Sequence, residues 1–324
     1  MYIEKKKIKG KEYYYASISV RSGNTVKSKT VAYLGSTAMK KQDIQKAMQK
    51  ISKEKIQKAK NELKETMNQK EEFLNSSQLQ KLEQIKSIFT KKMLSLDKAL
   101  LQDMFRDFKT HYIYNTNAIE GNTISFKETD LLLNANKTPA GKDLREVHDH
   151  LNASTVFDYL LKYKPEITKD LIIKIHSMLL ENIDVRRGSF RFHNVRVIGS
   201  TFETSDARYV ETDMKLLLEW YHKNERKLHP LVLAALFHEK FERIHPFYDG
   251  NGRTGRMLLN LILLRFSFPP LIVLNKERMQ YYKALDTGHK ADLFSSDLSA
   301  YGALIEFCYT QLLKTWEELF IKWG

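Results

Sequence analysis

The sequence predicts a mainly α-helical protein in which a β-hairpin and a helical arm precede a helical body. Three observations support this fold class. Apolar residues recur at helical spacing over most of the chain beyond residue 95. Residues 12–35 are instead rich in Tyr, Val, Ile and Thr around a turn-forming Ser-Gly-Asn triplet. Residues 37–80 contain neither Pro nor Gly and are dominated by Lys, Gln, Glu and Met.

The predicted boundaries give a basic β-hairpin module at 1–36, a helical arm or linker at 37–94 and a helical domain at 95–324. Two runs of strand-forming residues flank the triplet, which predicts a hairpin or a small meander. In the arm, apolar residues three and four apart place one stripe on a helix whose other faces carry charge. This stripe comprises Ile44, Met48, Ile51, Ile56, Ala59, Leu63 and Met67.

The body opens with apolar residues at steps of four, namely Leu100, Met104, Phe108 and Tyr112, which predict a helix. The same periodicity predicts further helices at residues 170–181, 211–223, 230–244, 256–266 and 300–320. The stretch FRFHNVRVIGS at 190–200 differs, because its apolar residues alternate before a glycine. It predicts a short β-hairpin flap.

The positive charge is concentrated at the N-terminus. The net charge is +14, and residues 1–60 hold 16 Lys and Arg against 4 Asp and Glu, a net of +12. Lysines beside the Tyr-Tyr-Tyr run can attract phosphates and stack on bases, so a nucleic-acid contact and a protein contact both stay open for this segment.

Composition limits the classes of protein. The single cysteine, Cys308, excludes an intramolecular disulfide and a Cys-type zinc site, and it favours a reducing compartment. No apolar run resembles a signal peptide or reaches the length of a membrane span. We therefore expect a cytoplasmic protein without a membrane contact.

The stretch HPFYDGNGRTGR, residues 245–256, carries the chemistry of the chain. Its GNGRTG segment satisfies G-x-G-x-x-G, but a helical pattern precedes it and no acidic residue follows about 20 positions later, so a dinucleotide site is excluded. A Walker A loop is excluded because GxxxxGK[ST] does not occur.

A glycine-rich turn that opens a helix remains, and its side chains suit a polyphosphate. Backbone N–H groups of Gly250 to Gly252 can approach an anion at the positive end of the helix. Arg253 and Arg256 are three residues apart and share one face. Asp249 can hold Mg²⁺ against phosphate oxygens. His245, with an ordinary pKa of roughly 6.5, can accept a hydroxyl proton near neutrality.

This stretch resembles the signature HxFx(D/E)GNGRxxR of the Fic-domain proteins and matches every specified position. The resemblance covers about residues 95–320 and implies a Fic-type helical fold that transfers AMP from ATP to a Ser, Thr or Tyr hydroxyl. It implies that His245 is the general base, that Phe247 anchors the loop and that Asp249 binds Mg²⁺ or Mn²⁺. It places the phosphates of ATP against Gly250, Asn251, Gly252, Arg253, Thr254, Gly255 and Arg256.

Upstream, TNAIEGN at residues 116–122 resembles the inhibitory motif (S/T)xxxE(G/N) of Fic proteins that carry an N-terminal inhibitory helix. The resemblance implies that Glu120 pairs with Arg256 and prevents productive binding of the γ-phosphate. A carboxylate on this Arg would occupy the donor that a triphosphate needs. The alternative is an ordinary helix-end carboxylate before a capping Gly121.

Two further segments resemble parts of the same family. The stretch 190–200 resembles the Fic flap, against which a target segment pairs by its main chain, here along Val195, Arg196, Val197, Ile198 and Gly199. KERMQYYKALDTGH resembles the helix near the adenine and ribose, with Tyr281 and Tyr282. His289 stands where family members often carry Asn, which leaves the base and ribose contacts open.

The sequence therefore predicts an autoinhibited protein adenylyltransferase that uses ATP and modifies a protein, the chain itself included. Removal of AMP by the same site is the related alternative, with Glu120 aligning a water. A nucleic-acid-binding regulator whose Fic body senses nucleotide is the alternative from another class. The oligomeric state stays open, and a homodimer is one of the states considered.

Overall fold

The structure is a computed structural model that describes residues 1–8, 11–22, 25–36, 41–61, 73–196, 203–289, 293 and 299–323. The chain divides into two compact units, Met1–Leu79 and Gln80–Gly324. The three-part division predicted from the sequence stays a prediction.

The first unit contains a three-stranded antiparallel sheet in the order β1-β2-β3. The strands are β1 (Tyr2–Ile8), β2 (Lys11–Ser22) and β3 (Thr25–Ser36). The sequence predicted β2 and β3, and the meander rather than the hairpin is observed. Strand β1 was missed because its lysines are depleted in strands, and its conformation depends on pairing with β2.

Two helical segments cover one face of this sheet. Helix α1 (Lys41–Gln49) is followed by helical residues 53–61. Ala16, Leu34 and Ile44 form one buried cluster, and Ile18 and Ala59 form another. The predicted arm is therefore interrupted at residues 50–52, and its first part shares a core with the sheet. Leu63 and Met67 lie outside the described residues.

The regular secondary structure described for the second unit is entirely helical. Its helices are α2 (Ser76–Ser95), which starts in the first unit, α3 (Lys98–Ile119), α4 (Phe126–Ala135), α5 (Leu144–Tyr163), α6 (Lys169–Leu179), α7 (Val210–Asn224), α8 (Pro230–Ile244), α9 (Asn251–Arg265), α10 (Arg278–Gly288) and α11 (Gly302–Thr315). These confirm the helices predicted in the body. A π-helical turn, Trp316–Phe320, follows α11.

Helix ends follow local capping chemistry. Asp97 accepts the N–H of Leu100 at the start of α3, at 2.9 Å. Ser125 and Glu128 form a reciprocal capping box at the start of α4. Pro230 occupies the first turn of α8, where its missing N–H costs no hydrogen bond.

Helices α8 and α9 form the centre of the unit. Apolar side chains of α8 from Leu231 to Phe241 are completely buried, and most of α9 is buried as well. A helix that is apolar on all sides belongs in the core of a domain. The 245–250 loop joins these two helices, so both of its ends are fixed by buried helices.

Among the described residues, no helix is both long and apolar enough to cross a membrane.

Candidate functional site

The candidate site is built on the loop between α8 and α9. Helix α8 is followed by His245 as its C-cap, whose φ of 51° is in the left-handed region, and Gly250 turns the chain into α9 with φ of 76°. A Cβ atom on Gly250 would come within 2.6 Å of the Leu180 Cδ2 atom. Conformation and space therefore both require glycine at this turn.

The loop is fixed from beneath by Phe247 and His176. Phe247 is completely buried and stacks on the His176 ring with centroids 3.6 Å apart. The Gly188 N–H donates to His176 Nδ1 at 2.9 Å, so Nε2 carries the proton and donates to the Asp249 carbonyl at 3.0 Å. Burial lowers the pKa of His176 to about 4, which keeps this tautomer neutral.

The Asn251 side chain closes the loop on itself. Its Nδ2 donates to the Phe247 carbonyl and its Oδ1 accepts the Phe247 N–H, both at 2.9 Å. The amide is thus used to hold the loop, and the backbone N–H at the start of α9 is the group that it can offer to an anion.

His245 has the geometry of a base. Its Nδ1 lies 3.2 Å from the Glu242 carbonyl, which can only accept, so Nδ1 carries the proton and the lone pair is on Nε2. Burial lowers the pKa of His245 to about 4, so the ring is neutral at pH 7. The Arg191 guanidinium, only 2% exposed, donates to the His245 carbonyl at 2.7 Å and to the Ile244 carbonyl at 3.2 Å.

Three charged residues of the loop and of α9 pair with side chains from earlier helices. Arg256, with its side chain 3% exposed, donates to Glu120 Oε1 at 2.6 Å. Arg253 pairs with Asp149 of α5, and Asp249 pairs with Arg145 at 2.5 Å.

Glu120 lies directly over the first turn of α9. It caps the end of α3, and a Cβ atom on Gly252 would overlap its Oε1. Arg256 also donates to Thr116, to the hydroxyl at 2.8 Å and to the carbonyl at 3.0 Å. Burial disfavours the charged form of Arg256, yet Glu120 outweighs it and the pKa of Arg256 is raised. The carboxylate therefore occupies an anion position at this helix end.

Helix α10 lies beside the same site. The Tyr281 hydroxyl is 2.6 Å from His238 Nε2, and the Tyr282 hydroxyl donates to the Ile119 carbonyl at 3.2 Å. His289 Nε2 is 3.7 Å from Glu239 Oε1, and burial lowers the pKa of His289 to about 3. Tyr282 thus contacts the end of the helix that carries Glu120.

Comparison with known proteins bears on this geometry. Residues 166–263 match the Fic/DOC family. The chain is 35% identical over 200 residues to the protein adenylyltransferase fic-1 of Caenorhabditis elegans, covering 60% of this chain and 39% of that protein. A solved fragment of C. elegans Fic-1 with a Glu-to-Gly substitution aligns at 30% identity, with a TM-score of 0.59, over 74% of this chain and 70% of the fragment. The chain belongs to the Fic family.

The fold also matches that of a Fic domain signalling protein from Bacteroides thetaiotaomicron, with a TM-score of 0.66 at 24% identity, over 72% of this chain and 94% of that one. The Fic chain spans about two fifths of the length of the curated relatives that it matches first.

Most residues predicted for the Fic site lie together around the 245–256 loop, whereas Thr254 and Gly255 face the interior and part of the predicted flap lies outside the described residues. Thr254 is completely buried and its N–H bonds to the Gly250 carbonyl. A Cβ atom on Gly255 would lie 2.6 Å from Glu242 Oε1, so this glycine serves helix packing. The described residues 190–196 of the predicted flap form no strand, while Val197, Ile198 and Gly199 lie outside the described residues, so the hairpin stays a prediction.

Several residues of the Fic site were not found by sequence reasoning. Arg191, Arg145, Asp149 and Thr116 act through contacts that bridge 54 to 140 positions of the chain. Spacing carries no signal for such contacts. Thr116 is the exception, since it opens the inhibitory motif and could have been assigned from it.

We expect the His245 ring to titrate near pH 4, well below its ordinary value of about 6.5. Histidine ring NMR on the resting Fic chain measures this, and the signal absent from His245→Asn assigns the peak. Because the folded state stays neutral while the unfolded state takes up a proton, His245 reduces folding stability as pH falls from about 6.5 to about 4. A midpoint at the ordinary value would contradict the buried, neutral ring.

Proposed function

We propose that this Fic chain is a protein adenylyltransferase that moves AMP from ATP to a Ser, Thr or Tyr hydroxyl and is restrained by Glu120. The observation that carries the proposal is the juxtaposition at one helix end of a neutral His245, an anion-binding turn and two buried arginines. The name of the C. elegans relative, protein adenylyltransferase, supports the same activity. The proposal assigns it to the predicted domain at residues 95–324.

In the proposed step, His245 Nε2 accepts the proton of the target hydroxyl. The hydroxyl oxygen forms a bond to the α-phosphorus of ATP, and the bond from that phosphorus to the bridging oxygen breaks in line. Pyrophosphate leaves with the electron pair. The partial positive charge at the start of α9 stabilises the negative charge that develops on the transferring phosphoryl group. The anionic substrate stabilises the positive charge that His245 gains with the proton. The anionic phosphates raise the pKa of His245 from its resting value and make it a stronger base.

The turn and the two arginines hold the phosphates in this proposal. Free N–H groups are expected in the first turn of any helix, here from Asn251 to Arg253, and they approach an anion without a side chain at Gly252. Arg253 then contacts the β-phosphate and Arg256 the γ-phosphate. Tyr281, Tyr282 and His289 lie near the adenine and ribose, and residues 195–199 receive the target segment.

Asp249 is the residue that would hold Mg²⁺. Its side chain is 38% exposed at the mouth of the loop, and its Oδ1 accepts the Gly250 N–H at 2.6 Å. No group of three or more candidate ligands occurs among the described residues. One carboxylate suits Mg²⁺, which takes further oxygens from water and substrate phosphates. When bound, Mg²⁺ would neutralise developing phosphate charge, and Arg145 would have to release Asp249.

Glu120 restrains transfer because it and a γ-phosphate need the same donor. Arg256 donates from Nη2 to Glu120 and from Nε and Nη2 to Thr116. With the carboxylate in place above Gly252, the end of the triphosphate must compete with Glu120 for this guanidinium.

The test is incubation of the full chain with Mg²⁺ and ATP labelled at the α-phosphate, read by gel autoradiography and by intact mass. ATP labelled at the γ-phosphate is the matched control. Label from the α-position alone, with a mass gain equal to AMP, is expected once Glu120 is replaced. Label from the γ-position would indicate a kinase and contradict the proposal.

A further inference from the structure

The N-terminal sheet carries a group of neighbouring tyrosines, which we call the tyrosine face and define as Tyr13, Tyr15 and Tyr33 with Lys6. The Tyr15 and Tyr33 rings are 5.4 Å apart, and the Tyr13 and Tyr33 rings are 6.3 Å apart. The Lys6 ammonium lies 5.3 Å from the Tyr15 ring. Tyr33 is 57% exposed. Tyr13 and Tyr15 are half-buried beside it, so part of this aromatic surface faces solvent.

The core of the first unit does not need these rings. Ala16, Ile18 and Leu34 supply its buried side chains from the sheet and pack against the helical residues 41–61. Side chains alternate between the two faces of a strand, so Tyr15 and Ala16 point in opposite directions. The rings therefore lie outside this core, and their cross-strand pairing on the other face leaves aromatic surface open to solvent.

The strands of the first unit carry a net positive charge, which attracts polyanions. Residues 1–36 hold eight Lys and Arg against two Asp and Glu, a net of +6. Both carboxylates have partners: Glu12 pairs with Lys5 at 2.6 Å, and Glu4 accepts the Ser17 hydroxyl at 2.7 Å and pairs with Lys6 at 3.5 Å. The following residues up to 60 raise the net charge to +12. Such a field attracts phosphates and is strongly dependent on salt.

We propose that the tyrosine face binds single-stranded nucleic acid. Unpaired bases expose flat π-faces that stack on aromatic side chains, while the surrounding lysines neutralise the phosphates. Bases in a duplex are already stacked and present only their edges in the grooves, which three adjacent rings do not recognise. An acidic protein would be held chiefly by the lysines. The rings therefore select the single strand.

The test measures fluorescence anisotropy of a labelled strand of about 20 thymidines, long enough for one such site, titrated with the full chain. The double variant Tyr15→Ala/Tyr33→Ala is expected to raise Kd about tenfold or more, since each stacked base contributes a factor of this order. Tyr15→Phe/Tyr33→Phe keeps both rings and should bind within about twofold of wild type. An unchanged Kd for the alanine variant would overturn the proposal.

A second aromatic pair in the chain provides a matched control. Tyr159 and Tyr163 have ring centroids 5.2 Å apart, and the Lys162 ammonium is 4.9 Å from the Tyr163 ring, close to the geometry of the tyrosine face. Tyr159→Ala/Tyr163→Ala removes the same atoms from the second unit and should leave Kd unchanged. Equal loss in both double variants would indicate non-specific binding and contradict the assignment.

Salt and a duplex competitor complete the experiment. Log Kobs should fall linearly with log salt, with a slope near −0.7 for each neutralised phosphate. A duplex of the same length should compete less well than the single strand. Tighter binding of the duplex, or no binding of either, would overturn the proposal. None of these outcomes depends on AMP transfer, so the two proposals stand or fall separately.

Discussion

Replacing Glu120 with glycine is expected to raise the rate of AMP transfer by about tenfold or more. The variant removes a charge-assisted hydrogen bond to Arg256 and returns that donor to the triphosphate. Hydrogen bonds to charged groups contribute about 1.5–3 kcal/mol, which corresponds to roughly 10- to 150-fold in occupancy of the competing site. The measurement is the initial rate of α-phosphate label appearing on protein.

The fold should tolerate this change. Glu120 caps α3 with φ of −82° and ψ of 2°, which glycine adopts readily, and its side chain is 39% exposed. Arg256 keeps both contacts to Thr116. Thermal unfolding near that of wild type would show that a gain in label reflects the site and not a loosened chain.

Two further variants test whether the effect comes from the negative charge of Glu120 itself and not from the loss of any carboxylate. Glu120→Gln keeps the length and an acceptor oxygen for Arg256, so its rate should lie between those of wild type and the glycine variant. Glu211→Gln removes a carboxylate that is 73% exposed and pairs with Lys169 on the surface, and it should label like wild type. Equal labelling by wild type and Glu120→Gly, with ATP bound by both, would refute the inhibitory role.

The second large effect is expected at His245. In the Glu120→Gly background, removing the imidazole should lower the rate about 10²- to 10⁴-fold, the usual contribution of a general base. Arg253 and Arg256 remain in place, so ATP binding should persist. The measurements are label incorporation and nucleotide affinity on the same preparations.

The backbone at His245 decides which variant is informative. Its φ of 51° disfavours most side chains, and alanine there costs about 1–2 kcal/mol. Asparagine tolerates this region and has no basic nitrogen, so His245→Asn isolates the loss of the base from strain. His245→Ala and His245→Asn should be equally inactive. Label incorporation by His245→Asn at the rate of its Glu120→Gly parent would exclude His245 as the base.

Sequence patterns predicted the helical body because they are local. The uninterrupted apolar run from Leu231 to Phe237 covers every side of a helix and forms the completely buried first half of α8, since such a segment can only be central. Strand β1 was missed for the opposite reason. Its lysines carry no strand signal, and only the ladder of hydrogen bonds to β2 gives the segment its conformation.

For the site, the sequence alone was enough to predict the loop and the groups that it carries. Residues 245–256 are contiguous, so their types and spacing place a base, a carboxylate, a glycine turn and two arginines on one loop and the first two turns of the helix after it. Tertiary structure decided what these groups contact. The pairing of Glu120 with Arg256 was implied by the family resemblance and is present in the structure. Asp149 and Arg145 lie 104 positions from their partners, and Arg191 lies 54 positions from the carbonyl that it holds. Spacing in a sequence constrains neighbours within a helix or turn, whereas the packing of α3 and α5 against α9 selects these distant pairs.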